Sequence, residues 1–226
     1  MFVRGGEEIK AEIKAMKEKK LATQIKNSDL VQKRRLQIAA GAAKLFIKKG
    51  YYKTNMRDIS KATGITIGSL YDYIAKKEDI LYLVFDVFQS FMRRELEESG
   101  LFEIEDPVEQ LKFAITRSIE LGVVYRDMVV LMYTESKSLP KEFLQDILER
   151  ESDLNQCFEK ILQRGVEKGV FGVKDTFLTA NIFAYLFAFE PLRRWSLRKR
   201  YAVKEVNAFV TDFMLHNVVR VRSGST

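Results

Sequence analysis

Apolar residues recur along most of this chain at spacings of three and four, which is the period of an α-helix with one buried face. The broadest stripe covers residues 31–49, and Gly50 follows it as a C-terminal stop. The apolar positions of this stripe are Leu36, Ile38, Ala39, Ala40, Ala42, Ala43, Leu45 and Phe46. The pattern therefore predicts a helix over residues 31–49 that buries one side.

Two short helices are predicted directly after this one. Thr54 is suited to cap the first, over residues 54–62, and Gly64 breaks that helix. Thr66 is suited to cap the second, which is predicted to run from Ile67 to about Ala75. Two short helices joined by a tight turn that contains glycine form a helix-turn-helix, whose second helix is the recognition helix.

Helical spacing continues to the end of the chain. Further helices are predicted over residues 77–98, 140–168, 175–190 and 203–219. Asp106 followed by Pro107 marks another helix start, and Pro191 is predicted to break or kink the helix before it. Because no stretch alternates with period two, we predict an all-α protein with an N-terminal three-helix domain and a larger C-terminal helical domain.

Composition excludes several classes of protein. The single cysteine, Cys157, allows no disulfide within the chain, and the single histidine, His216, argues against a catalytic triad or a histidine-rich metal site. The sequence contains no recognisable phosphate-binding loop and no recognisable nucleophile–base pair. We therefore expect no enzyme activity and no cofactor. The longest apolar run, residues 180–189, is about half of what a membrane-spanning helix needs. We therefore expect a cytoplasmic protein that does not enter membranes.

The positive charge is concentrated at one end of the sequence. Residues 1–80 hold 18 Lys and Arg against 9 Asp and Glu, whereas the remaining residues hold 20 against 22. Such a basic segment is typical of proteins that meet nucleic acid or an anionic membrane, although a solvated basic face looks the same. A membrane-binding segment would need bulky aromatic residues, and residues 1–30 hold only Phe2. We predict a basic extension (1–30), a helix-turn-helix domain (31–80) and a larger domain (81–226).

The helix-turn-helix suggests which side chains meet double-stranded DNA. The first residues of a recognition helix face the base edges of DNA. In this sequence the candidates are Thr66, Ile67, Gly68, Ser69 and Asp72. Phosphate contacts are expected from Thr54, Tyr73 and Lys77, with nonspecific attraction from Lys53, Arg57 and Lys76. Tyr71 is placed either against DNA or partly under the helix.

The string TNMRDISKATGITIGSLYDYIAKKEDIL over residues 54–81 resembles the DNA-binding signature of the TetR family of transcriptional regulators. The residues that carry this resemblance are Thr54, Gly64, Gly68, Leu70, Tyr71, Tyr73 and Lys77. The sequence departs from the family pattern in two places. Ile74 and Ala75 replace the usual Phe-Pro, which predicts a slightly longer recognition helix, and Ile67 favours an apolar contact such as with a thymine methyl group.

The resemblance implies a homodimeric, ligand-released repressor on a palindromic operator, with an activator or a regulator controlled by a protein partner as the alternative. It implies that the last two long helices form the dimer interface. Candidates for interface or core are Phe177, Phe183, Leu186, Phe187, Phe209, Phe213, Met214 and Val218.

The resemblance also implies an effector pocket in the C-terminal domain. Its candidate lining residues are Phe113, Tyr125, Met128, Met132, Tyr133, Phe158, Ile161, Tyr185 and Phe189. The same residues would serve equally as plain helical core. The basic run over residues 193–200 is either a solvated connector or a phosphate-binding entrance to the pocket. Residues 133–140, together with Arg193, Arg194 and Trp195, resemble the acyl-CoA-responsive branch of the family. This resemblance implies a small apolar or acyl-CoA-like effector whose phosphates meet Arg193 and Arg194.

Overall fold

The structure is a computed structural model that describes residue 21 and residues 25–219. Within those residues the chain forms ten α-helices and no strand, so the all-α prediction is confirmed. The helices are α1 (Ser28–Lys49), α2 (Met56–Thr63), α3 (Ile67–Tyr71), α4 (Lys77–Glu97), α5 (Pro107–Val124), α6 (Arg126–Glu135), α7 (Lys141–Glu167), α8 (Thr176–Phe187), α9 (Phe189–Leu197) and α10 (Val203–His216). No described helix is long and apolar enough to cross a membrane.

Local capping chemistry fixes the ends of the first three helices. Gly50 and Gly64 end α1 and α2 with φ of +87° and +69°, values that only glycine adopts without strain. Thr66 caps α3 as predicted, because its side chain accepts the Ser69 N–H. The cap of α2 is Asn55 and not Thr54, since Asn55 and Asp58 form a reciprocal capping box.

The recognition helix α3 is shorter than predicted and ends at Tyr71 instead of continuing to Ala75. Asp79, in the first turn of α4, accepts hydrogen bonds from the N–H groups of Ala75 and Lys76 at 2.8 and 2.9 Å. These bonds commit the two residues to the start of α4, so the expected lengthening does not occur.

Two compact units make up the chain. Among the described residues, the first comprises those up to residue 91 and residues 131–149, and the second comprises residues 92–130 and 150–219. Most of the predicted basic extension, residues 1–20 and 22–24, lies outside the described residues. The division of the chain at residues 30 and 80 stays a prediction.

The core of the first unit joins the three helices of the helix-turn-helix domain. Ile38, Ile59 and Leu70 are completely buried, whereas Ala62, which the spacing also places in the core, is exposed. The two helices α1 and α2 approach closely at Gly41, where an added Cβ would lie 2.6 Å from Thr63 Cγ2. A side chain at that position would push the two helices apart.

The second unit packs α5 against α8 and α10. Its core contains Leu111, Ile115, Ile119, Phe158, Ile161, Leu162, Phe171, Ala180, Phe183, Val206, Val210 and Met214. Asp106 and Pro107 begin α5 as predicted. The break between α8 and α9 falls at Ala188, before Pro191, which occupies the first turn of α9 where its missing N–H removes no helical bond.

Candidate nucleic-acid interface

The N-terminal end of α3 carries the exposed side chains that sequence analysis assigned to base contacts. Thr66, Ile67 and Gly68 are exposed and Ser69 is half-buried, while Leu70 points into the core of the unit. A Cβ added to Gly68 would meet nothing within 4 Å. Internal packing therefore does not demand glycine at this position, and close approach to a groove edge would account for it.

Two other predicted DNA contacts also lie on the surface. Tyr71 has half of its side chain exposed, which favours the DNA-facing placement over packing under the helix. Arg57 on α2 is exposed as well. The structure thus brings these residues into the same unit as the exposed end of α3.

Thr54 and Tyr73 do not lie on this surface. Thr54 is 1% exposed, and its hydroxyl donates to the Gly50 carbonyl oxygen at 2.9 Å. Tyr73 is 4% exposed and its ring packs in the core of the first unit. The expected phosphate contacts of these two residues do not fit this placement, because both side chains are in the interior.

Lys77 holds together the segment between α1 and α2. Its Nζ donates to the carbonyl oxygens of Tyr51 and Thr54, both at 3.1 Å, and lies 4.2 Å from the centroid of the Tyr51 ring. Burial raises the pKa of the Tyr51 phenol, so the ring beneath the ammonium group is neutral. Lys77 therefore positions the segment that leads into α2, a role that the sequence did not reveal.

Arg35 on α1 is a second functional residue that sequence analysis missed. It is only 7% exposed, and its Nε and Nη2 both donate to the Tyr73 carbonyl oxygen at 3.3 Å. Its position in the sequence could have indicated this burial. Arg35 lies three and four residues before the buried Ile38 and Ala39, and it is therefore on the same face of the helix. An arginine on the apolar face of a helix requires buried acceptors, and one acceptor here is the Tyr73 carbonyl, which follows the recognition helix.

The N-terminus of α2 already carries an acidic group. Lys49 donates to the Asp58 carboxylate at 3.0 Å, and the Asn55 N–H donates to its other oxygen. The hydrogen bond from Lys49, followed by that from the Asn55 backbone, lowers the pKa of Asp58. The carboxylate therefore stays ionised and satisfies the helix terminus without an external phosphate.

In the second unit, α8 and α10 expose six large apolar side chains, which are together called its apolar face. Its exposed residues are Phe177, Leu178, Ile182, Tyr185, Phe209 and Phe213. Of the predicted interface-or-core residues, Phe183, Met214 and Val218 are buried in the core, and Leu186 and Phe187 pack partly against it. Phe209 is 71% exposed, which is unusual for an aromatic side chain in a helix.

The predicted effector-pocket residues do not form one set in the structure. Phe113, Phe158, Ile161 and Phe189 belong to or pack against the core of the second unit, as does helical core in general. Met128 is buried and Tyr125 half-buried in that unit, whereas Met132 and Tyr133 belong to the first unit and Tyr185 lies on the exposed face.

The two predicted phosphate-binding arginines have different surroundings. Arg193 is exposed and stacks over the Trp195 ring at 5.1 Å. Arg194 donates to the Glu190 carboxylate at 2.8 Å, and Arg126 lies 3.7 Å from the other oxygen of that carboxylate. Because Glu190 is buried, Arg194 is partly committed to compensating its charge.

A small pocket lies elsewhere in the second unit. It has a volume of about 190 Å³ and is lined by Arg93, Leu96, Glu97, Phe102, Asp153, Leu154, Gln156 and Cys157. Burial raises the pKa of the Cys157 thiol, so this cysteine is a poor nucleophile at neutral pH. None of the predicted effector-pocket residues lines this pocket.

Ile67→Asn is expected to change which DNA sequence is bound. Asparagine bonds the adenine edge, whereas isoleucine contacts the thymine methyl group, so one position of each half-site should change from thymine to adenine. Affinity for the original site should fall about tenfold. Selection from a random duplex pool measures both effects. Lys53→Gln is the control, and it should weaken all duplexes alike; an unchanged preference in Ile67→Asn would remove this residue from the base-reading set.

Comparison with known proteins supports the assignment of the N-terminal region to a helix-turn-helix domain of the TetR type. A family model described as "Bacterial regulatory proteins, tetR family" matches residues 38–82, and one described as "Tetracyclin repressor-like, C-terminal domain" matches residues 104–195. The HTH-type transcriptional regulator HbdR of Aromatoleum sp. (strain CIB) is 31% identical over 181 residues, which cover 78% of this chain and 76% of HbdR.

Two further proteins are similar to this chain, one in sequence and one in structure. The HTH-type transcriptional repressor KstR2 of Mycobacterium tuberculosis is 27% identical over 148 residues, covering 62% of this chain and 70% of KstR2. The crystal structure of AibR, solved with isovaleryl coenzyme A and operator DNA, has a TM-score of 0.66 at 22% identity and covers 80% of this chain and 97% of AibR, which shows the shared fold. The family resemblance found in the sequence is thus confirmed. The chain belongs to the tetR family of bacterial regulatory proteins, and it is a helix-turn-helix transcriptional regulator and not an enzyme.

Proposed function

We propose that this regulator binds a palindromic operator as a homodimer and represses transcription until a small apolar or acyl-CoA-type effector releases it. The observation that carries the proposal is the presence of two exposed surfaces of different chemistry, the N-terminal end of α3 in the first unit and the apolar face in the second. KstR2, a related protein, is a transcriptional repressor. This relationship favours repression over the alternatives, which are an activator or a regulator controlled by a protein partner.

The apolar face on α8 and α10 supports the homodimer. Six large apolar side chains on two helices exceed the scattered exposure that is normal for a monomer. A two-fold axis through this face would bury the same residues on both copies. Such a dimer presents two copies of α3, and its operator would be an inverted repeat with half-sites about one helical turn or more apart.

The basic run at the end of α9 supports a phosphate-bearing effector. Arg193, Arg198, Lys199 and Arg200 are exposed, and Trp195 is exposed beside them. Guanidinium groups bind phosphate with paired hydrogen bonds, and an indole ring offers a flat apolar surface to a nucleotide base. Coenzyme A contains both groups, and AibR, which has the same fold, binds isovaleryl coenzyme A.

An acyl-CoA series tests the effector proposal. Acyl-CoAs from acetyl to palmitoyl are added to the complex of the protein with a fluorescent duplex, and anisotropy measures release while thermal denaturation measures binding. At least one chain length should raise the melting temperature and release the DNA. If no chain length does either, an acyl-CoA effector is excluded.

Arg193→Gln is expected to weaken the effective acyl-CoA about tenfold, because a charge-assisted phosphate contact contributes on the order of 1.5 kcal/mol. Titration followed by thermal shift measures this. The matched control is Lys174→Gln, which removes one exposed charge from the same unit and should leave effector affinity unchanged. Equal affinities of all three proteins would contradict the phosphate contact.

A further inference from the structure

Two side chains of α1 bond the ends of both helices of the helix-turn-helix. Arg35 donates from Nε and Nη2 to the Tyr73 carbonyl oxygen, both at 3.3 Å, and Tyr73 lies two residues beyond the end of α3. Gln37 donates from Nε2 to the Thr63 carbonyl oxygen at 2.7 Å, and Thr63 is the last residue of α2. These bonds join α1 to the C-terminal ends of α2 and α3.

The recognition helix is too short to keep its orientation by itself. It has five residues, and Leu70 is the one among them that is buried. An isolated helix of this length is unstable in water, so its orientation depends on the contacts of its ends and of this one side chain. The turn after α3 is buried at Tyr73 and Ile74, and the Arg35 guanidinium bonds the backbone of this turn to α1.

Both donors on α1 are themselves held in one orientation. Arg35 is buried, and its Nη2 also donates to the Leu21 carbonyl oxygen at 2.8 Å, so two carbonyl groups fix the plane of the guanidinium. Gln37 accepts at Oε1 from Arg34 Nη1 at 2.9 Å, which turns its amide nitrogen towards the end of α2. Because Arg35 is enclosed by protein acceptors, its charge is directed into the first unit and not towards a phosphate.

We propose that Arg35 and Gln37 are positioning residues for base reading, which hold α3 and α2 at the angle at which the start of α3 reaches the base edges. Contacts to base edges are lost when a donor and its acceptor move apart by less than 1 Å, whereas attraction between charges and phosphates declines slowly with distance. A small rotation of α3 would therefore remove base contacts and leave most of the attraction to phosphates. The two residues determine discrimination between DNA sequences without touching DNA.

This inference rests on base reading by α3, which is part of the proposed function, and the test separates the two. Affinity is measured for two fluorescent duplexes of equal length and composition, one selected with the intact protein from a random pool and one with the selected sequence scrambled. The readout is the ratio of the two affinities, together with the salt slope on each duplex. Arg35→Met removes the guanidinium, and the matched control is Lys44→Met, which removes an exposed cation from the same helix.

Arg35→Met should lower the affinity ratio at least about tenfold, which is the discrimination that one good base contact provides. Its salt slope should equal that of the intact protein because no phosphate contact is lost, and Lys44→Met should keep the intact ratio. A residue that only stabilises the fold would lower both affinities together, so an unchanged ratio in Arg35→Met overturns the inference. A lower salt slope in Arg35→Met would make Arg35 a phosphate contact and would overturn it too.

Two further variants keep the test decisive if Arg35→Met does not fold. Arg35→Lys keeps a cationic donor but loses the planar fork, so its ratio should fall below that of the intact protein. Gln37→Met changes an exposed side chain and removes the bond to Thr63, and it should lower the ratio several-fold at an unchanged salt slope. Intact ratios in both variants would overturn the inference. If the intact protein prefers neither duplex, the proposed function fails and the inference fails with it.

Discussion

Replacing Phe209 with aspartate is expected to convert the protein into a monomer and to abolish operator binding. Phe209 is the most exposed of the six apolar side chains on α8 and α10. In the proposed dimer each copy contributes one Phe209, so the substitution places two carboxylates in an apolar interface. An unpaired buried charge costs several kcal/mol, and the dimer dissociation constant should rise at least about 100-fold.

Sedimentation or light scattering at micromolar concentration measures the loss of dimer, and duplex affinity is measured on the same samples. Leu148→Asp is the matched control, because Leu148 is a helical apolar residue that is 52% exposed and lies outside this face. The control should remain dimeric and bind DNA normally. A Phe209→Asp protein that remains dimeric would show that the dimer forms through another surface.

Replacing Lys77 with methionine is expected to weaken binding to every duplex about tenfold and to lower the salt slope by about one. The substitution removes two charge-assisted hydrogen bonds to the segment between α1 and α2, together with the contact to the Tyr51 ring. These contacts together stabilise the first unit by about 2 kcal/mol. Affinity should fall because the start of α2 is no longer held in place, and the slope should fall because the predicted phosphate contact of the Lys77 ammonium is lost.

Lys76→Met is the control for this substitution. It removes the same charge one residue earlier, from an exposed side chain, and should leave the melting temperature unchanged. Thermal denaturation and duplex titration at several salt concentrations distinguish the two roles of Lys77. If Lys77→Met altered neither stability, affinity nor salt dependence, the lysine would have no part in the DNA-binding unit.

The parts of the fold that could be predicted are those fixed by nearby residues. Some residues act within one turn of the helix end that they specify, so their roles can be predicted from the sequence. They are Asp106 with Pro107, Gly50 and Gly64. The error at α2 has a local explanation too. A capping box needs an acidic or amide side chain three residues after the cap, and Asn55 has Asp58 there whereas Thr54 has Arg57.

Contacts between distant residues could not be predicted. The length of α3 depends on Asp79 in the next helix. The Tyr73 carbonyl accepts from Arg35 on α1, and the Thr54 hydroxyl donates to Gly50 at the end of α1. The sequence predicts Lys77 as a surface lysine. In the structure its ammonium group donates to the Tyr51 and Thr54 carbonyl oxygens. Sequence spacing gives the face of a helix but not the partner that covers it.

The proposed effector site is the part of the molecule that sequence predicts least well. Aromatic residues at helical spacing can line a pocket or fill a core. In the structure Phe158 lies in the core of the second unit, and Phe113 and Phe189 are partly buried against that core. Arg193 and Arg194 are adjacent in sequence, yet one is exposed and the other is bonded to the buried Glu190. This difference makes Arg193 the better residue for testing a phosphate contact.

Selection of bound duplexes from a random pool tests the central claim most directly, since the claim is that a two-fold dimer reads DNA with α3. The intact protein should enrich an inverted repeat whose half-sites are separated by about one helical turn or more. Ile67→Asn should alter the same position in both half-sites, and Phe209→Asp should enrich nothing. Enrichment of a single asymmetric site, or of no site at all, would contradict the account.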